Sequence, residues 1–361
     1  MKRVLYAVLD WGLGHATRSI VLIDHLVRSG VEVHLASSGS AGILLRQTFP
    51  QLPFLPLPPY QITYSKGLAQ VWHLTKQVPA VLQTIQKEHQ TLQAYLQKVP
   101  MTGIISDHRY GIWDAQVPSV FVGHQLALIL PPSLEIFRKS LYRYHLHWLR
   151  HFDRIWIPDV EGAENLSGKL AHEFELPSRA KFVGPLSRFM LGSENMGNKS
   201  APEVDVLAIL SGPEPQRTLL EQKIRQAFST MPGKKVLIQG KPDARMIEED
   251  QDLKVFPHLP HADFLQLLMQ GPVILSRSGY SSIMDYAYLG LKNIVCVPTP
   301  GQTEQEYLGK YLHKKQAILT VSQSDLKLPE AIVQVKNCRG FDFVDGKAIY
   351  QPVLDEFLLT I

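Results

Sequence analysis

Cysteine is nearly absent: the 361 residues hold two, Cys296 and Cys338. Two thiols cannot cross-link a chain of this size or build a cysteine-rich metal site, so a reducing compartment is expected. Long hydrophobic runs are also missing. None approaches the ~18 uninterrupted apolar residues of a spanning helix, and the nearest, Val117 to Leu130, contains Pro118, His124 and Gln125. The opening Met1-Lys2-Arg3 and Val4 to Leu9 has the order of a secretory leader. Its apolar run is short, Asp10-Trp11-Gly12 interrupts it, and no small-residue cleavage site follows. The expectation is a cytoplasmic protein that could lie against the inner face of a membrane. Charge of one sign is scarce too, with 37 Lys and Arg against 33 Asp and Glu and a net charge of +4. That lacks the basic density of a dedicated nucleic-acid binder but suits an anionic ligand or a membrane surface. There is no short-period repeat and no low-complexity segment.

What is present is a globular composition, 45% hydrophobic and 19% charged, long enough for two or three domains. Short apolar runs alternate with longer amphipathic stretches. Strand candidates are Val4–Leu9, Val31–Ala36, Gly103–Ser106, Ser119–Val122 and Arg154–Ile157, then Val204–Leu210, Lys235–Ile238, Val273–Leu275 and Asn293–Val297. Apolar runs without polar alternation suit strands covered on both faces, as in parallel sheets. Intervening segments such as Ala16–Arg28 and Glu214–Thr230 have helical length, so the fold class is α/β with open sheets. The polar, Gly-, Ser- and Asn-rich stretch between Leu186 and Glu203 reads as a linker. After it the alternation restarts. Two doubly wound domains are expected, over 1–190 and 203–345, with 346–361 forming a last helix.

The first loop, Asp10-Trp11-Gly12-Leu13-Gly14-His15-Ala16-Thr17-Arg18, joins a strand to a helix. Its glycines let a ligand approach the backbone, and the helix start offers N–H groups to negative charge. The third glycine of a dinucleotide fingerprint is missing; His15 and Arg18 stand there instead. His15 suits a general base, or else caps the helix. Ser106-Asp107-His108-Arg109-Tyr110-Gly111 and Gly123-His124-Gln125 follow two further strands at the same sheet edge, where an acceptor site would gather its polar groups. Asp107 could orient a histidine or serve as the base itself. In the second half Ser276-Arg277-Ser278-Gly279-Tyr280-Ser281-Ser282 again runs from strand to helix, with hydroxyl and N–H donors suited to phosphate. Asp285, two turns on, could accept both hydroxyls of a ribose. Gln302, Glu304, Gln305 and Glu306 in the next loop suit sugar hydroxyls, or simply start a helix. Ser211-Gly212-Pro213 with Arg217 would make a further phosphate loop. Phe137–Arg154 reads as one two-faced helix, with Phe137, Leu141, Tyr144, Trp148 and Phe152 toward the core and Lys139, Arg143, His147, Arg150 and Arg154 forming a basic stripe. The same stripe could meet anionic lipid. No Asp-x-Asp pair ends one of these strands and no histidine pair sits within a plausible ligand set, so no metal is expected.

Ser276-Arg-Ser-Gly-x5-Asp285 followed by Pro298-x6-Gln305-Glu306 resembles the donor-binding half of GT-B glycosyltransferases, especially the peptidoglycan-type N-acetylglucosaminyltransferases (MurG-like). The Gly12-x-Gly14-His15 loop is similar to their early glycine-rich loop. The resemblance implies two Rossmann-like domains facing across a cleft, with a last helix crossing back to the first domain. It also implies a uridine-diphosphate sugar donor, most simply a UDP-N-acetylhexosamine, with Asp285 on the uridine ribose and Gln305 and its neighbour on the donor sugar. Metal-independent, inverting transfer follows, to a hydroxyl acceptor that could be lipid-linked or a polysaccharide, with no other cofactor. The chain departs from the family in three places: aspartate replaces the usual glutamate at 285, Glu306 stands where a second glutamine is common, and the first loop is poorer in glycine. Gly-x-Gly-His-x-x-Arg also resembles GT-B-like hydrolases that activate water. A nucleotide-sugar hydrolase, a 2-epimerase and a binding protein with a degenerate site are the alternatives.

Overall fold

The computed structural model describes residues 1–60, 69–130, 132–191, 204–241, 246–250 and 252–361. The linker expected between Leu186 and Glu203 lies mostly outside them. Two compact units emerge, Met1–Arg188 with Asp345–Ile361, and Phe189–Val344.

In the first unit β1 (Arg3–Val8), α1 (Gly14–Arg28), β2 (Glu32–Ser37), α2 (Gly39–Thr48), β3 (Phe54–Pro56) and α3 (Ala69–Leu96) lead to β4 (Gly103–Asp107) and β5 (Ser119–Val122). After them come α4 (Arg138–Trp148), β6 (Arg154–Ile157), α5 (Lys169–His172) and β7 (Ala180–Phe182). The sheet order is β3-β2-β1-β4-β5-β6-β7, and every pairing is parallel. Val4, Leu5, Tyr6, Ala7 and Val8 are fully buried, as a central strand covered on both faces requires.

The second unit repeats the plan. It runs β8 (Val206–Ile209), α6 (Gln216–Phe228), β9 (Lys235–Ile238), β10 (Glu248–Asp250), β11 (Leu253–Phe256), α7 (His261–Met269), β12 (Val273–Ser276), α8 (Tyr280–Tyr288), β13 (Ile294–Cys296), α9 (Thr303–Lys314), β14 (Leu319–Thr320) and α10 (Leu328–Gln334). Its order is β10-β11-β9-β8-β12-β13-β14, parallel except for the antiparallel β10–β11 pair. All nine expected strands are present. The five additional ones are short and lie at or beside sheet edges, where partial exposure erases the apolar signature.

One expectation fails. The helix read over Phe137–Arg154 is three pieces, α4 flanked by 3₁₀ turns at Pro132–Phe137 and Leu149–His151. Its apolar stripe faces the core only in part: Phe152 is buried there, Leu141 and Trp148 are half-buried, and Phe137 and Tyr144 are exposed, while Arg138, Tyr142 and Leu149 are buried. The long positively charged Arg138 reaches the inner side because Glu135 and Glu173 neutralise it there.

The last helix, α11 (Gly346–Thr360), belongs to the first unit. Asp345 caps it, accepting from Lys347 N at 3.1 Å and Ala348 N at 3.2 Å. Phe357 is fully buried, edge-on to Trp156 with ring centroids 5.6 Å apart. It lies so close to β4 that a Cβ on Gly103 would come within 2.8 Å of its ring, so any larger residue there would have to displace that ring. Phe357→Ala should lower the stability of the first unit by about 3–5 kcal/mol, read from denaturant unfolding.

Candidate active site

In a doubly wound sheet, ligands bind where the strand order reverses, beyond the carboxyl ends of the strands. In the first unit that place lies between β1 and β4. The chain leaves β1, turns at Gly12 with φ +69°, and enters α1 at Gly14, so that His15 and Arg18 share one helix face a turn apart. Asp107, the last residue of β4, meets them there. It is fully buried and accepts from His15 Nδ1 at 2.7 Å, Arg18 Nε at 2.7 Å and Ser19 Oγ at 3.1 Å, with a short contact to Arg18 Nη2. Burial alone would raise its pKa, but Arg18, His15 and His108 hold the carboxyl well below its usual range. A carboxylate held ionised in this way, 2.7 Å from His15 Nδ1, is placed to orient that ring. The His15 pKa is itself lowered, first by burial and then by Arg18, against the pull of Asp107. That direction favours the uncharged imidazole, and the 2.7 Å contact suits an Nδ1–H donated to Asp107.

Sequence reasoning placed His108 in the Ser106–Gly111 segment at this edge but gave it no role of its own. It sits in the left-handed region at φ +56°, a strained conformation for a non-glycine residue, its ring 5.0 Å from that of His15. A Cβ on Gly123 would come within 2.7 Å of that ring. Only the fold brings His108 to this point. His15, Asp107 and His108 present ligand atoms within 4.8 Å of one another, and the Arg18 guanidinium contacts all three, supplying a positive charge to the cluster. Arg18, expected to face a phosphate, is therefore turned inward and is 2% exposed. His124 is buried with Nδ1 3.1 Å from Arg18 Nη1; Gln125 beside it is half-buried.

The second unit reverses its strand order between β8 and β12. Ser211 and Gly212 after β8 are exposed, Gly212 at φ +101°. Gly279 precedes α8, and Ser281 and Ser282 are half-buried in its first turn, where helical N–H groups have no partner within the helix. Asp285 is buried on α8. Several expected ligand groups are committed elsewhere. Ser278 is fully buried and donates to Gln305 O at 2.7 Å. Gln305 Oε1 accepts from Thr299 N, and Glu306 Oε1 from Gly301 N, each at 2.9 Å, so both side chains brace their own loop. Gln302 stands at the α9 N-cap without a capping side-chain bond. Arg217 is paired with Glu214 and Glu221, which neutralise the charge expected to meet a diphosphate. Arg277 is 1% exposed and donates to the carbonyls of Val297 at 3.0 Å, Pro298 at 3.2 Å and Gln216 at 2.8 Å, tying together three loops at this edge.

Residues 2–108 match the profile of glycosyl transferase family 1, and residues 214–340 that of the glycosyltransferase family 28 C-terminal domain. The chain belongs to the GT-B glycosyltransferases. Solved structures share its whole length at low identity. The glycosyltransferase of kitacinnamycin is 15% identical with a TM-score of 0.65, covering 99% of each chain. MurG of Acinetobacter baumannii is 12% identical with a TM-score of 0.58, over 99% of this chain and all of the other. UGT89C1 of Arabidopsis thaliana, complexed with UDP-L-rhamnose, is 12% identical with a TM-score of 0.61, over 99% of this chain and 94% of the other. No curated protein matches in sequence.

Beside the dyad, the glycosyltransferase holds a second buried charge pair. Arg109 and Glu88 are both fully buried and 2.7 Å apart. Arg109 also donates to Val8 O, Pro58 O and Ser38 Oγ, and Tyr60 donates to Glu88 at 2.8 Å. The network fastens the Pro58–Tyr60 loop to the ends of β1 and β2. Next to it, a cavity of about 600 Å³ is lined by Ser38, Gly39, Arg46, Phe54, Leu57 and Pro59, among others. Glu88→Gln removes the nearer of two counter-charges, with Asp10 still 3.4 Å from Arg109, and should cost about 1–3 kcal/mol, measured by thermal and denaturant unfolding.

Proposed function

We propose that this glycosyltransferase moves an N-acetylhexosamine from a uridine-diphosphate sugar to an acceptor hydroxyl, with inversion and without a metal ion. The observation that carries the reading is the 2.7 Å contact between His15 Nδ1 and Asp107, which leaves Nε2 as the proton acceptor. His15 Nε2 takes the hydroxyl proton as the acceptor oxygen bonds to the anomeric carbon. The bond from that carbon to the diphosphate breaks, and UDP departs with the electron pair. One displacement inverts the anomeric centre.

In this reading residues 1–190 serve the acceptor, with Gly12, Gly14, His124 and Gln125 around the base, and residues 203–345 serve the donor. Ser211, Gly212, Gly279, Ser281 and Ser282 offer N–H and O–H groups to the diphosphate, and the start of α8 adds its dipole. Asp285 takes the ribose, and Gln302 faces the sugar. The choice of N-acetylhexosamine rests on the resemblance of the Ser276–Asp285 and Pro298–Glu306 segments. A donor of the uridine class is also what UGT89C1 holds.

A second proposal concerns the acceptor's surroundings. Among the described residues no helix is long and apolar enough to cross a membrane. Ile136, Phe137 and Tyr144 are nonetheless exposed at 83%, 58% and 58%, beside exposed Lys139, Arg143 and Arg150. Aromatic and basic side chains together suit the headgroup region of an anionic bilayer, which fits a lipid-linked acceptor.

His15→Ala should lower turnover by ~10²–10⁴ while UDP binding persists; UDP release with UDP-N-acetylglucosamine and a panel of hydroxyl acceptors measures it. Unchanged turnover removes His15 from the role, and free sugar released without acceptor makes the protein a hydrolase. The reaction needs neutral His15, so activity should fall as the pH drops through its lowered pKa, with the acidic limb below the ordinary ~6.5 of histidine. Chelator should leave the rate intact. Co-sedimentation should be stronger with phosphatidylglycerol vesicles than with phosphatidylcholine, and Lys139→Glu with Arg143→Glu should weaken it by about 1 kcal/mol per site.

A further inference from the structure

The mechanism as derived gives no task to Arg18, although it is the most heavily bonded side chain at the site. Its Nε and Nη2 span both oxygens of Asp107. Its Nη1 reaches His124 Nδ1 at 3.1 Å, and its Nη2 lies 3.1 Å from His108 Nδ1 and 2.9 Å from His15 Nδ1. A guanidinium has only donors. His108 and His124 must therefore present Nδ1 as acceptors to it, which puts their ring protons on Nε2. His15 differs in distance: its Nδ1 is 2.7 Å from Asp107 Oδ1, against 3.4 Å for His108 Nδ1, and an ionised carboxylate is an acceptor only. Its proton stays on Nδ1.

The structure assigns to Arg18 the holding of the base in its working form. It is a positioning residue that keeps Asp107 ionised and His15 uncharged with its lone pair on Nε2, and it is not a ligand of the donor diphosphate. The inference rests on the reading of His15 as base. The charged and titratable groups facing His15 are Arg18 from its own helix, Asp107 and His108 from the end of β4, and His124 beyond β5, with Tyr6 of β1 close to Asp107. Arg18 is the one permanent cation among them. Without it a buried carboxylate would face imidazoles alone. It would then either draw a proton onto His15, making an imidazolium with no lone pair, or become protonated and stop fixing the tautomer. Both outcomes disable the base.

The test uses the full-length enzyme. Nitrogen-15 spectra of the wild-type histidines, with His15 assigned through His15→Gln, should show His15 as the Nδ1–H tautomer and His108 and His124 as Nε2–H. Arg18→Met should move the acidic limb of kcat/KM upward by about one to three pH units, the effect of one close charge, with the donor KM unchanged. Arg18→Lys keeps the charge but not the two-pronged contact. It should return the limb toward wild type while kcat stays about tenfold lower, part of the ~10²–10⁴ that a general base contributes. Should Arg18→Met fail to fold, Arg18→Lys and the wild-type tautomers decide. The inference is overturned by an Nε2–H tautomer at His15, by wild-type kcat and pH profile in Arg18→Lys, or by a raised donor KM as the main effect. If His15→Ala retains turnover, the reading of the base has failed; if it is inactive while the Arg18 variants behave as wild type, this inference alone has failed.

Discussion

The buried contact between Asp107 and Arg18 is the constraint on which the first unit's chemistry depends. A carboxylate with no exposure at the end of a central strand is strongly unfavourable without a counter-charge. Arg18 supplies that charge and leaves Asp107 ionised, and an ionised Asp107 fixes the His15 tautomer. The same guanidinium contacts the atoms that would otherwise ligate a cation. One ion pair therefore fixes both the charge of the carboxylate and the surroundings of the His15 ring.

Both units place polar loops where the strand order reverses, but by different means. In the first, side chains from α1, β4 and the segment after β5 converge through direct contacts. In the second, Arg277 spends its donors on main-chain carbonyls, and Gln305 and Glu306 brace the loop that carries them. The loops are shaped first. What remains for a ligand is backbone N–H, the start of α8 and the residues of its first turn.

The strands of both sheet centres were legible because buried parallel strands are continuous apolar runs, as in Val4–Leu9 and Val204–Leu210. Edge strands such as Phe54–Pro56 and Leu319–Thr320 are too short and too exposed to leave a pattern. The Phe137–Arg154 segment misled because aromatic spacing alone cannot say which side is inward when a neutralised arginine is buried instead. Within the site, His15 and Asp107 could be picked out from their positions after strands, but the role proposed for each depends on Arg18 reaching Asp107 across 89 residues. The spacing of His15 and Arg18 hinted at a shared helix face; the direction of Arg18, inward to Asp107 and away from phosphate, is set by tertiary packing. His108 carries its signal in backbone conformation, which residue type does not reveal.

The charge balance at the two switch points differs. Around His15 the Arg18 cation and the Asp107 anion offset one another. At the second switch Arg217 is cancelled by Glu214 and Glu221, but Arg277 binds only carbonyls in the contacts described, and its Nε is buried without a partner. Burial lowers its pKa to about 10, still far above neutrality, so it stays a cation. In the proposed reaction a fixed positive charge just ahead of α8 in sequence, oriented by these carbonyls, would lower the cost of negative charge developing on a departing diphosphate. A mobile surface lysine would have to give up its hydration to do the same.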